Sequence, residues 1–137
     1  MSQKQYVQMK VNKISISTHA DYLLICVIGT RKELCEFMQE KFDSVIPQKN
    51  TDGEFFRMYF EGAEMAKGIV WINSDISRKV RLRTLVHESL HSSQRILNLL
   101  NIKVKPNNHE SLAYLQDYIF DKIYRKNVKF FNVKEKE

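Results

Sequence analysis

Apolar and polar residues alternate along the first part of the chain in a way that predicts β-strands. Apolar residues separated by polar ones stand at Val7, Met9, Val11, Ile14 and Ile16. This period of two is typical of a half-buried strand or a bent pair of strands. The continuous apolar run at 22–28 (YLLICVI) predicts a second strand, which is more fully buried.

Helical spacing replaces this alternation after Gly29. Thr30 can cap a helix, and the apolar residues behind it recur at three- and four-residue steps at Leu34, Phe37, Met38 and Phe42. We expect this helix to end before Pro47. The turn residues at 50–53 (NTDG) then lead into a strand at the outside of the sheet, whose apolar residues are Phe56, Met58 and Phe60.

The second half of the chain predicts one short strand and two long helices. The strand is 69–72 (IVWI), and 73–75 (NSD) offers capping residues for a helix that begins at about 75–77. This helix should reach about residue 100, with one face formed by Leu82, Val86, Leu90, Ser93, Leu97 and Leu100. After an interruption at 101–108, a helix over about 108–125 has a core face of Leu112, Leu115, Ile119, Phe120 and Ile123. We expect a last strand at 128–133 and a frayed tail at 134–137.

This order of elements predicts an α+β fold in which a small twisted sheet packs on a pair of helices. The length of 137 residues suits a single domain with one sizeable core. A content of 43% hydrophobic and 28% charged residues is typical of a globular protein. We therefore expect one folded domain over residues 1–137.

Composition also bears on compartment and partners. Residues 1–10 are too polar for a secretory signal, and the longest apolar run is far shorter than the roughly 20 residues of a membrane-spanning helix. We therefore expect no membrane contact. Cys26 and Cys35 are not in a C-x-x-C pair, which favours reduced thiols in a cytoplasmic protein. The net charge of +6 favours acidic partners, so nucleic acid remains a possible but not a favoured partner. The oligomeric state is not predicted.

The segment at 87–91 (HESLH) is a His-Glu-x-x-His motif inside a predicted helix. Four helical residues turn the chain by about 400°, so His87 and His91 lie one turn apart on one stripe and can bind one Zn²⁺ ion. Glu88 lies beside that stripe and can act on a water molecule at the metal as a general base. The motif therefore predicts a zinc-dependent hydrolase.

A catalytic zinc ion usually has three protein ligands, so a third donor must come from elsewhere. Glu110 is the preferred candidate, because it lies in the first turn of the next helix, where a carboxylate is favoured and where an antiparallel return would bring it beside the histidines. His109 is the alternative, although its position on the helix points about 100° away from that of Glu110.

At this point the chain resembles the gluzincin branch of the zincin metallopeptidases. These enzymes join His-Glu-x-x-His to a downstream glutamate, with a spacing of 18 residues that matches positions 92–109 here. The resemblance covers about 69–125 and implies His87, His91 and Glu110 as zinc ligands and Glu88 as the base. It also implies that the strand at 68–72 is an edge strand that holds an extended peptide substrate. The helix pair and the segment at 113–120 (AYLQDYIF) are similar to small phage or prophage metallopeptidases.

Several residues around the motif are candidates for supporting roles. Thermolysin-like members have an aspartate four residues after the glutamate ligand, where this chain has Tyr114. Asp117 could orient a histidine in its place or be a solvated surface residue. Tyr114 and Tyr118 could each donate a hydrogen bond to the oxyanion formed during attack, or could simply be half-buried packing residues.

A basic run precedes the motif and consists of Arg78, Lys79, Arg81 and Arg83. It could bind an acidic peptide or a phosphate backbone, or it could be an ordinary solvated face.

The sequence thus predicts a zinc peptidase that hydrolyses peptide bonds. The alternatives are a zinc protease that acts on DNA-bound proteins, and a zincin-like binding module that has lost its activity.

Overall fold

A computed structural model describes residues 9–16, 22–58, 68–99, 102–103, 105 and 109–132. This part of the chain forms four strands and four helices. In chain order they are β1 (Lys10–Ile16), β2 (Tyr22–Gly29), α1 (Arg31–Phe42), β3 (Gly53–Arg57), β4 (Gly68–Asn73), α2 (Arg78–Leu99), α3 (His109–Lys126) and α4 (Val128–Phe131). The predicted α+β class is confirmed.

The four strands form one mixed sheet in the order β1-β2-β4-β3. β2 and β4 are parallel, with Leu24 opposite Gly68, whereas β1 and β3 pair antiparallel with their neighbours. β3 is an edge strand, which confirms an outer strand after the turn at 50–53, although the strand spans Gly53–Arg57 and not the predicted run at 56–60. The position of β4 corrects the expectation for 68–72, because this strand lies between β2 and β3 and not at an edge. Its run of buried residues is what an interior strand requires.

The sheet has a helical layer on each face. Alternate residues of β2, such as Leu24 and Cys26, pack against α2, α3 and α4. The residues between them, such as Ile25 and Val27, pack against α1 together with Trp71 of β4. Because neighbouring side chains of a strand point to opposite faces, the continuous apolar run of β2 is explained by burial on both sides.

α1 follows the prediction closely. The Thr30 side chain accepts a hydrogen bond from the Glu33 backbone N–H at 3.1 Å, and the Glu33 carboxylate accepts one from the Thr30 N–H at 2.8 Å. This reciprocal cap stabilises the start of a helix by about 1 kcal/mol. The helix ends at Phe42, where Asp43 adopts a left-handed conformation with φ of 50°.

The predicted strand at 128–133 is wrong, because Val128–Phe131 forms the short helix α4. Phe130 and Phe131 are both buried in the same core cluster. A strand would turn these two neighbours to opposite faces, whereas a helical turn lets both rings contact that cluster. Residues 7, 60 and 133, which were included in predicted strands, lie outside the described residues.

Two contacts, one from α3 and one from α4, indicate that the chain returns along α2 in the opposite direction. The Gln116 side chain on α3 donates a hydrogen bond to the Val86 carbonyl on α2 at 3.2 Å. Farther along the chain, the Phe130 carbonyl accepts one from Arg81 at 3.0 Å, nearer the start of α2. The chain therefore returns along α2, as the sequence predicts. Within the described part of the chain, no helix is both long and apolar enough to cross a membrane.

Candidate metal centre

The two motif histidines lie on the outer, exposed face of α2. Their Nε2 atoms are 3.0 Å apart, and their ring centroids are 4.6 Å apart. Two nitrogen ligands at about 2.05 Å from a tetrahedral zinc ion would be separated by roughly 3.3 Å. In the structure this separation is that of a hydrogen bond between the two rings, and a shift of about 0.3 Å would bring the nitrogens to the separation that a shared metal ion requires.

The electrostatic surroundings favour the neutral form of His91. Partial burial, followed by the adjacent His87, lowers the pKa of His91 below its ordinary value of 6.5. A neutral imidazole is the form that binds a metal. His91 is thus suited to metal binding at neutral pH.

Glu88 occupies the buried side of α2, next to the histidines. Only 4% of the residue is exposed, and its Oε1 atom has no hydrogen-bond partner within the described structure. Burial, and then the nearby Glu54 carboxylate, raise the pKa of Glu88 to about 7. A buried carboxyl oxygen without a hydrogen-bond partner is costly for stability, and carboxyl groups with perturbed pKa values are concentrated at functional sites.

A small pocket of about 330 Å³ joins Glu88 to the edge of the sheet. It is lined by Asp52, Gly53, Arg83, Thr84, His87 and Glu88. The first histidine and the candidate base therefore face one solvent-accessible space, which lies beside the beginning of β3. Arg83 brings a cation to the same pocket, as its place one turn before His87 suggests.

Gly53 allows β3 to approach α2 closely at this pocket. A Cβ atom at this position would lie 2.8 Å from Thr84 Cγ2, 2.8 Å from the Trp71 carbonyl oxygen and 3.3 Å from Glu88 Cγ. A larger residue would displace either the strand or the carboxylate. Gly53 is thus a site residue that sequence reasoning missed, because the turn at 50–53 does not reveal which helix it will contact.

Several residues on the buried face of α2 have short polar side chains. The Thr84 hydroxyl donates to the Val80 carbonyl at 2.7 Å, and the Ser92 hydroxyl donates to the Glu88 carbonyl at 2.9 Å. These bonds satisfy the hydroxyls within the helix itself. The sheet can therefore pack near the helix backbone at the motif.

Glu110 lies in the first turn of α3 and is exposed. It is six residues before Gln116, and His91 is five residues after Val86, the partner of Gln116. At 1.5 Å per residue, these steps along antiparallel helices are about 9 Å and 7.5 Å, so Glu110 and His91 lie at similar heights. Among the described residues, however, no three His, Cys, Asp or Glu side chains converge as a metal site. Glu110 therefore stays a predicted ligand, and so does its alternative His109.

The stripe of α3 that carries Glu110 borders a groove between α2 and α3. This groove of about 500 Å³ is lined by Val86, Ala113, Tyr114, Gln116, Asp117 and Phe120. The predicted supporting residues Tyr114 and Asp117 are thus near one another, at the groove. Tyr118 is not among the lining residues, and its ring lies 5.4 Å from the Lys122 ammonium group. The structure does not bring Tyr118 to the groove or to the pocket at Glu88.

The basic run at the start of α2 is divided between two environments. Arg78, Lys79 and Arg83 are exposed. Arg81 instead lies over the Phe130 ring at 4.1 Å and donates to the Phe130 carbonyl. One of the four cations is therefore used to attach α4 to α2.

Comparison with protein-family models, with curated proteins and with solved structures finds no match for this chain. Its function is therefore inferred from the geometry of the site.

Proposed function

We propose that this protein is a zinc peptidase of the zincin type, in which His87, His91 and Glu110 bind the metal and Glu88 is the general base. One observation carries the proposal. The imidazole nitrogens of His87 and His91 lie 3.0 Å apart on the outer face of α2. Between them in the sequence, Glu88 has a buried carboxyl group whose Oε1 atom has no hydrogen-bond partner in the described structure. A merely structural helix has no need for this combination.

The donor set fits zinc by its chemistry. Two imidazoles and one carboxylate are ligands that zinc uses in catalytic sites, and they leave a position open for water. A bound zinc ion would supply an activated water molecule and polarise the substrate carbonyl. Glu88 would then accept a proton from the attacking water and pass it to the leaving amine.

β3 offers a place for an extended peptide. This strand is the last in the sheet order, and in the described structure it pairs only with β4. The edge away from β4, where the described residues place no other strand, can form backbone hydrogen bonds with a substrate strand. Because β3 begins at the pocket that Glu88 lines, a peptide on this edge would bring its backbone near the base.

The proposal is tested by measuring zinc content and peptide cleavage in wild type, Glu88→Gln and Glu40→Gln. All three proteins should bind about one zinc ion per chain. Glu88→Gln should lower cleavage by about a thousandfold, because it removes the base. Glu40→Gln makes the same substitution at an exposed site on α1 and should leave cleavage unchanged. Absence of zinc in the wild type, or full cleavage by Glu88→Gln, would refute the proposal.

Protease activity on DNA-bound proteins is a second candidate. The exposed cations Arg78, Lys79 and Arg83 favour it, because Arg83 also lines the pocket at Glu88. This candidate requires DNA binding that weakens steeply as salt rises. If the protein does not bind DNA even at low salt, this second candidate is excluded. If the protein binds zinc but shows no activity that depends on Glu88, the inactive binding module is favoured instead.

We place this activity in the cytoplasm. Cys26 is fully buried as a free thiol, and Cys35 is a half-buried free thiol. Thiols that are not engaged in a disulfide suit a reducing compartment.

A further inference from the structure

A second groove lies on the other face of the sheet, between α1 and the strand β1, and we call it the α1 groove. Its volume is about 630 Å³. Side chains of β1 and β2 form its floor, among them Val11, Leu23 and Ile25, and α1 forms one wall. The candidate metal centre is on α2, which packs on the opposite face of the sheet. The α1 groove is therefore separate from the pocket at Glu88.

The floor of the α1 groove is apolar and partly open to solvent. Val11 is 39% exposed, and it is not part of the apolar cluster that α1 buries. Leu23 and Phe42 pack at the margin of that cluster and are half-buried. Apolar side chains that stay exposed at a concave surface indicate a binding site.

The wall of the α1 groove carries unpaired carboxylates. Glu33, Glu36 and Glu40 line it, together with only two lysines, Lys13 and Lys41. Among the described residues, neither Glu36 nor Glu40 takes part in an ion pair. In a chain with a net charge of +6, the α1 groove is thus a local site where negative charge exceeds positive charge. Such a site attracts a cationic partner.

The strand beside the α1 groove can accept another strand. β1 is the first strand in the sheet order, and in the part of the chain that the structure describes it pairs with β2 alone. Backbone groups at its other edge can therefore pair with an extended segment. Side chains on one face of such a segment are about 6.7 Å apart. Glu36 and Glu40 are one helical turn apart, about 6 Å along the axis, so the two spacings agree.

We propose that the α1 groove binds an extended segment of a partner protein that pairs with β1 and has lysine or arginine at alternate positions. The apolar stem of such a side chain can pack on the floor at Val11, while its cationic end reaches Glu36 or Glu40. One residue type thus suits both the floor and the wall. An acidic segment would be repelled by the same carboxylates. This docking site does not depend on the proposed peptidase activity.

The test measures the binding of three end-capped, fluorescein-labelled peptides to the full chain. The first is TTKTKTT, and the second replaces both lysines by glutamate. The third, TTKKTTT, has the same composition as the first, but its adjacent lysines point to opposite faces of a strand. All titrations contain chelator, so that no peptide binds through a metal ion. We expect TTKTKTT to bind about tenfold more tightly than the glutamate peptide and about threefold more tightly than TTKKTTT.

A pair of double variants connects this preference to the α1 groove. Glu36→Gln with Glu40→Gln should reduce the preference for lysine over glutamate to less than about threefold. Asp75→Asn with Asp121→Asn removes two carboxylates that lie elsewhere on the surface. This control changes the net charge equally and should keep the preference. Equal binding of the lysine and glutamate peptides, or an unchanged preference in the Glu36 and Glu40 variant, would overturn the proposal.

Two further outcomes test the kind of occupant. Equal binding of TTKTKTT and TTKKTTT would overturn docking as a strand on β1. Sedimentation that shows a wild-type dimer, and a monomer when Glu36 and Glu40 are both replaced, would assign the α1 groove to a second copy and would also overturn the proposal. Because the α1 groove lies across the sheet from Glu88, Glu40→Gln should weaken docking and leave cleavage unchanged. The docking site and the peptidase activity can therefore fail separately.

Discussion

The carboxyl groups of Glu54 and Glu88, on opposite faces of the sheet, have different surroundings. On the α1 side, Glu54 accepts a hydrogen bond from Arg31 at 2.8 Å, and the Lys49 ammonium group lies 3.5 Å from its other oxygen. On the α2 side, Glu88 is buried more deeply and its Oε1 atom has no partner in the described structure. The first arrangement stabilises the fold. The second costs stability, and such an arrangement is common at functional sites.

Arg31 shows how completely the α1 side satisfies its polar groups. The residue is only 7% exposed, and its guanidinium group donates to the Pro47 carbonyl as well as to Glu54. It also lies 5.0 Å from the Trp71 ring. One side chain thus attaches the segment after α1 to both β3 and β4.

The largest expected effect of a single substitution comes from breaking this cluster. Arg31→Met should lower the free energy of unfolding by about 3 kcal/mol, because it leaves Glu54 half-buried without its main partner. Glu88→Gln, on the other face, should leave stability unchanged or raise it, because no hydrogen bond to the Oε1 atom is lost. Urea denaturation at pH 7 measures both. A larger loss in Glu88→Gln than in Arg31→Met would contradict the comparison.

Alkaline pH should act on the α2 side through Cys26 and Tyr22. Burial raises the pKa of the Cys26 thiol to about 12, and burial, partly offset by Arg95, raises that of the Tyr22 hydroxyl to about 12. Because the unfolded chain loses these protons first, stability is fully present below pH 9 and falls as pH rises toward 12.

This loss should approach about 1.4 kcal/mol per pH unit for each group once the unfolded form has ionised. Urea denaturation at several pH values between 8 and 11 measures the slope. Cys26→Ala should make it shallower above pH 9, whereas Cys35→Ala on α1 is the control for loss of a thiol. A slope that is the same in Cys26→Ala and wild type would show that the buried thiol does not cause it.

A smaller effect is expected where β3 meets α2. Gly53→Ala should cost about 1–2 kcal/mol through overpacking against Thr84 and the Trp71 carbonyl. It should also lower kcat about tenfold with little change in KM, because Glu88 is displaced from its position.

Gly68→Ala is the matched control for this change. Its added Cβ would contact the Tyr22 hydroxyl and Phe55 at the opposite end of the β3–β4 pair. It should lower stability and leave kcat unchanged. If the two variants lower kcat equally, the effect of Gly53 is general destabilisation and not the placement of Glu88.

Features that depend on neighbouring residues could be predicted from the sequence, whereas features that depend on contacts between distant segments could not. The cap at Thr30 and the helical position of His87 and His91 depend on residues a few positions apart, and both were predicted. The contact of Gly53 with Glu88 and the interior position of β4 depend on pairing between distant segments, which no local period encodes. The same limit explains α4, because the burial of both Phe130 and Phe131 in one core cluster depends on distant segments of the chain.

Substitutions on α3 should have the smallest effect on the stability of the metal-free protein. They also give the sharpest test of which residue is the third metal ligand. Glu110 and His109 are both exposed, so Glu110→Ala and His109→Ala should each change the free energy of unfolding by less than about 0.5 kcal/mol in chelator. Zinc binds the folded state and should raise the Tm of the wild type in proportion to the logarithm of its concentration. Glu110→Ala should abolish most of this rise, whereas His109→Ala should retain it, because two histidines alone leave the metal a ligand short. The reverse result would make His109 the ligand, and it would place the other stripe of α3 over the histidine pair.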